Sequence, residues 1–165
     1  MRLEGSCHCR AVRFSLESRH AVPYQLCYCT ICRKTQGGGG YAINLAGDAN
    51  SLEVDGRRHI RTFHAILREA DGTEARSEAE RTFCGVCGSA LWLYDKTWPE
   101  LIHPFASAID DELPVPPERT HLMLGFKANW VEPAIGPHDQ QFDAYPQESI
   151  ADWHQRLGLE DGDDD

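Results

Sequence analysis

The chain has 165 residues and a formal net charge of −10, so it has room for one ordinary core and repels nucleic acid and anionic membranes. Apolar residues make up 41%, and nine prolines with fourteen glycines point to a loop-rich fold of the kind that metal staples stabilise. The N-terminus carries no apolar signal core and no stretch approaches a membrane span, which predicts a cytoplasmic protein with reduced thiols.

Most of the chain reads as short strands. Val12, Phe14 and Leu16 alternate with polar residues, the pattern of a half-buried strand. A short helix is expected from Thr30 to the glycine run at 37–40. Further strands are predicted over Tyr41–Leu45, Ser51–Val54, Ile60–Leu67, Ala75–Phe83, Ala90–Tyr94, Leu101–Ala108 and Thr120–Lys127. Asp71-Gly72 marks a hairpin between two of them. A second helix is predicted over Ser149–Leu157, with Ser149 and Asp152 as a capping box and Gly158 as the stop. The acidic run after it cannot bury anything and is expected to be mobile.

Seven cysteines fall into three groups, Cys7-x-Cys9, Cys27-x-Cys29-x-x-Cys32 and Cys84-x-x-Cys87. In a reducing compartment such groups read as metal ligands rather than disulfides. Two pairs, Cys7 with Cys9 and Cys84 with Cys87, make the four thiolates of a closed tetrahedral zinc site. Cys27, Cys29 and Cys32 make a set of three. Either the fourth position is open to water or substrate, or a histidine closes it; His59, His64, His103 and His121 are the candidates. An open position would hold an incoming thiol as thiolate, the nucleophile that adds to an aldehyde carbon.

Around that set, Arg33 and Lys34 can receive the carboxylates of an anionic peptide-like thiol or offset the thiolate charge. The glycine run lets backbone approach a ligand or serves as a connector, and Trp130 can flank the site or anchor the core. The candidate substrate contacts are therefore Arg33, Lys34, Gly38, Gly39 and Trp130.

The stretches Gly5-Ser6-Cys7-His8-Cys9-Arg10-Ala11-Val12-Arg13-Phe14, Cys27-Tyr28-Cys29-Thr30-Ile31-Cys32-Arg33-Lys34 and Phe83-Cys84-Gly85-Val86-Cys87-Gly88-Ser89 together resemble the family of glutathione-dependent formaldehyde-activating enzymes, whose domain also occurs in centromere protein V. The resemblance runs from Gly5 to about Glu132. It implies a mostly β fold of coiled antiparallel sheets stapled by zinc, shared with chaperones of nucleotide-free small GTPases. It implies two zinc ions, a structural one on Cys7, Cys9, Cys84 and Cys87 and a catalytic one on Cys27, Cys29 and Cys32. It also implies carbon–sulfur lyase chemistry, with glutathione as co-substrate and an adduct with an aldehyde such as formaldehyde as the small-molecule partner. Two alternatives stay open: a non-catalytic zinc module for a protein partner, and a specialised lyase of a biosynthetic pathway. The expected organisation is a zinc-binding domain over 1–135, an extension with a packed helix over 136–158 and a disordered tail over 159–165. Exposed strands could pair in a homodimer.

Overall fold

A computed structural model describes residues 1–36 and 38–159. In chain order the first elements are β1 (Arg2–Ser6), β2 (Arg13–Glu17), β3 (Gln25–Cys27), α1 (Thr30–Gln36), β4 (Ala42–Asn44), β5 (Gly47–Asp48) and β6 (Glu53–Asp55). Then come β7 (Ile60–Arg68), β8 (Glu74–Cys84), β9 (Ala90–Tyr94), β10 (Leu101–Pro104), β11 (Thr120–Leu122), β12 (Gln140–Gln141) and α2 (Ile150–Arg156). The protein is mostly β, as expected. Gly37 and the acidic run after Leu159 lie outside the described residues, so the expectations placed on them are not addressed.

The strands form three sheets, ordered β1-β2-β6, β5-β10-β9-β8-β7 and β12-β11-β3-β4. Pairing is antiparallel except around β11, which runs parallel to both β3 and β12. Parallel neighbours need a long crossover, and here most of the chain lies between β3 and β11. The hairpin at Asp71-Gly72 forms as predicted. Gly72 takes φ 86°, and Asp71 Oδ1 accepts from the Thr73 amide at 2.9 Å.

Two predicted strands stop several residues before their expected ends. β10 stops at Pro104, which has no N–H to continue a ladder, and Ala106–Ala108 form a 3-10 turn. β11 stops at Leu122, because Met123 adopts φ 62° and turns the chain into a second 3-10 segment, Leu124–Phe126. The strands β1 and β3 were not anticipated, β1 having a single large apolar residue, Leu3, and β3 only three residues.

Leu3, Phe14, Leu16, Leu45, Leu91, Trp92 and Ile102 form the main core with Cys7 and Cys84. Phe14 meets Trp92 edge-on at 5.1 Å between centroids. The helix α2 forms with its predicted capping box, the Ser149 hydroxyl accepting from the Asp152 amide at 3.0 Å. Its Trp153 is 2% exposed and donates to Glu118 Oε1 at 2.8 Å. Arg156 pairs with that same carboxylate, and His154 Nε2 lies 2.7 Å from the Val22 carbonyl. The helix is thereby tied to the loop between β2 and β3.

Candidate metal centres

Two groups of cysteines converge. The sulfurs of Cys7, Cys9, Cys84 and Cys87 all lie within 4.8 Å of one another, and so do those of Cys27, Cys29 and Cys32. All seven cysteines are free thiols. The Sγ–Sγ separations of Cys7–Cys9 and Cys9–Cys84 are 3.5 and 3.9 Å. A tetrahedron with zinc–sulfur bonds of about 2.3 Å has an edge of about 3.8 Å, which these two separations approach.

Local backbone explains that convergence. After β1 the chain turns through Arg10, held at φ 61°, with the Arg10 amide donating to the Cys7 carbonyl at 2.8 Å. The Val12 amide then donates to Cys7 Sγ at 3.2 Å. At the end of β8 the Val86 amide donates to Cys84 Sγ at 3.4 Å, and Gly88 at φ 78° closes the turn. Amides aimed at sulfur stabilise the thiolate, the form a metal needs. Ser89 joins the two turns, its hydroxyl accepting from the His8 amide at 3.1 Å and lying 3.2 Å from Cys87 Sγ. Hydrogen bonding from Ser89 pulls the Cys87 thiol down to about 5. His8 is exposed.

The three-thiol group is built by strand alternation. Cys27 ends β3, and the Tyr28 amide extends the ladder to the Leu122 carbonyl at 3.0 Å. Successive side chains on an extended segment face opposite sides. Cys27 and Cys29 thus face the cluster of Phe105, Leu122 and Leu93, while Tyr28 packs on the other side with Leu26 and Val131. The chain then enters α1, where the Cys32 amide donates to Cys29 Sγ at 3.3 Å. The three thiols are coupled. Hydrogen bonding from Cys27 and Cys32 pulls Cys29 down, and the same contacts push Cys27 up.

None of the four candidate histidines joins this group. His121 is 0% exposed, with Nδ1 at 2.9 Å from Tyr28 Oη and Nε2 at 3.1 Å from Asp139 Oδ2. His103 Nδ1 faces the Leu45 carbonyl at 2.9 Å, and burial lowers its pKa. His64 Nδ1 faces the Ser77 carbonyl at 2.9 Å, and His59 Nε2 accepts from Arg58 at 3.0 Å. Among the described residues no histidine, aspartate, glutamate or further cysteine joins the three thiols.

The other predicted residues fall around α1. Arg33 and Lys34 lie in its last turn; Lys34 is exposed, whereas Arg33 Nε is buried without a hydrogen-bond partner. Gly38 and Gly39 are exposed. Trp130, 60% exposed, stands against Gly40: a Cβ there would meet Trp130 Cη2 at 3.2 Å and collide with Val131.

Two residues had no sequence signal. Arg81 on β8 reaches Cys32 Sγ with Nη2 at 3.9 Å. Tyr145 is 73% exposed as a residue, yet burial around its hydroxyl, then the charges of Cys27, Cys29 and Cys32, push its phenol up. Elsewhere, a cleft of about 520 Å³ on the β1-β2-β6 sheet is lined by Arg10, Arg13, Glu53, Asp55 and Asp110 but by no cysteine.

Residues 2–124 match the family model described as glutathione-dependent formaldehyde-activating enzyme. The chain belongs to that family. A curated relative from Halomonas elongata (strain ATCC 33173 / DSM 2581 / NBRC 15536 / NCIMB 2198 / 1H9), named "Putative glutathione-dependent formaldehyde-activating enzyme", is 59% identical over 162 residues, 98% of this chain and 100% of that one. A solved Rhodobacter sphaeroides protein aligns with a TM-score of 0.49 and 22% identity over 69% of this chain and 92% of its own. Within the family stretch lie all seven cysteines, as the resemblance implied; Tyr145 and α2 lie beyond it.

Proposed function

We propose that this chain is a zinc-dependent carbon–sulfur lyase-type enzyme acting on adducts of glutathione, or a similar thiol, with an aldehyde such as formaldehyde. The observation that carries this reading is the thiol triad that no histidine completes. Cys27, Cys29 and Cys32 would hold the catalytic ion, and Cys7, Cys9, Cys84 and Cys87 the structural one. When bound, the catalytic zinc supplies an electrophilic centre that keeps a small thiol ionised near neutral pH.

Adduct formation makes one sulfur–carbon bond; the carbonyl π pair becomes an alkoxide and takes up the proton that the thiol gave up. The lyase direction runs the same changes in reverse. Arg33 and Lys34 at the end of α1 are the cations for the carboxylates of the thiol peptide, with exposed Gly38, Gly39 and Trp130 beside them. Zinc content and turnover of S-(hydroxymethyl)glutathione test the reading. Wild type should carry two ions per chain, and Cys29→Ser should abolish turnover while the four-thiol ion stays. Turnover unaffected by Cys29→Ser would sink it.

A further inference from the structure

We propose that Arg81 is a positioning residue of the Cys27–Cys29–Cys32 site, setting its charge so that an anionic fourth ligand, a thiolate, is taken in preference to a neutral one. This rests on the reading above that the triad holds a divalent metal. Arg81 lies on β8, between β7 and β9, opposite Phe63 on one side and Leu93 on the other. Leu93 packs against the cluster that contains Cys27 and Cys32, so Arg81 occupies the apolar floor of the site.

There it is only 9% exposed. Its Nε is buried without a hydrogen-bond partner, and the hydrogen bond resolved for its guanidinium goes to Cys32 Sγ at 3.9 Å. No carboxylate pairs with it among the described residues, although the chain has 26 acidic residues. A guanidinium is retained in such a place only where an anion compensates it. The acceptor within reach is the sulfur of Cys32, which would be anionic as a metal ligand.

Charge counting gives the consequence. Three thiolates on a divalent ion carry −1, which repels a fourth anion. Arg81 brings the assembly to zero, so a thiolate can join at a total of −1 rather than −2. A neutral ligand such as imidazole gains nothing comparable from the arginine. The guanidinium acts through Cys32 and touches no substrate atom.

The test uses the full chain loaded with Co²⁺, counting ions and following cobalt absorption during titration with 2-mercaptoethanol and, separately, imidazole. Wild type should hold two ions. Arg81→Met should weaken 2-mercaptoethanol binding by about tenfold or more while shifting imidazole binding much less, and Arg81→Lys should restore the thiol preference. Arg81→Gln, neutral and of similar shape, replaces the Met variant if that one does not fold. Unchanged selectivity in the neutral variant overturns the inference, as does an equal loss of both probes, which would make Arg81 merely structural. A wild type holding one ion, at the four-thiol group, overturns the proposed function as well; two ions with unchanged selectivity overturn this inference alone.

Discussion

Tyr28 Oη lies 2.9 Å from His121 Nδ1, and the far side of that imidazole faces Asp139 Oδ2 at 3.1 Å. Tyr28 sits between Cys27 and Cys29, so this buried relay fixes the backbone that aims both sulfurs. It also uses both ring nitrogens of His121. His121→Ala should therefore cost about 1–3 kcal/mol of stability, the cost of leaving buried polar groups unpaired, while zinc content stays at two per chain. Thermal unfolding with metal analysis checks both; loss of one ion would make His121 a ligand.

The four-thiol group ties the end of β1 to the end of β8, closing a loop of most of the domain. Binding of a structural zinc contributes folding free energy on the order of 10 kcal/mol. Graded chelation should remove the triad ion first with the far-UV circular dichroism intact, and the four-thiol ion only together with unfolding. A single step, with both ions leaving a folded chain, would contradict this.

Acid should loosen the α2 anchor. Hydrogen bonding from Arg156 holds the Glu118 carboxyl below its usual range, against the opposing effect of burial. A depressed carboxylate contributes stability that is complete above the unfolded value of about 4.3 and is lost as pH falls through the lower folded value. Glu118→Gln should therefore be less stable than wild type at pH 7, with the gap closing below about pH 4. Denaturant midpoints measured across that range decide it, since the thiol groups are common to both proteins. A constant gap would show that ionisation of Glu118 does not matter.

Gly56 turns at φ 78°, and a Cβ there would run into the Ala11 carbonyl, two residues after Cys9. Gly56→Ala should cost more than about 1–2 kcal/mol, the left-handed penalty alone, because the collision is with backbone. Its denaturant midpoint should fall; an unchanged midpoint would mean that the turn can relax.

The long strands β7 and β8 were legible because each has enough residues to show its character, and the Asp71-Gly72 turn locates the hairpin. Gln25–Cys27 has three residues, too few for a period, and Arg2–Ser6 is interrupted by Gly5. β3 takes one of its partners, β11, from far along the chain, whereas β1 pairs with the neighbouring β2. Among the tryptophans, Trp92 and Trp153 are core anchors, while Trp98 and Trp130 are exposed, a difference that residue type alone does not carry.

The spacing of seven cysteines determined the three local groups, because thiols one to three residues apart on a turn or helix start stay close, whereas the fold brought Cys7 and Cys9 to Cys84 and Cys87. Whether the triad recruits a histidine was a tertiary matter. It depended on β11 carrying His121 to the Tyr28 face of β3 rather than the cysteine face. Likewise only the fold brought Arg81, forty-nine residues from Cys32, beneath the thiols. Packing sets the electrostatics of a buried site, and sequence spacing does not encode long-range packing.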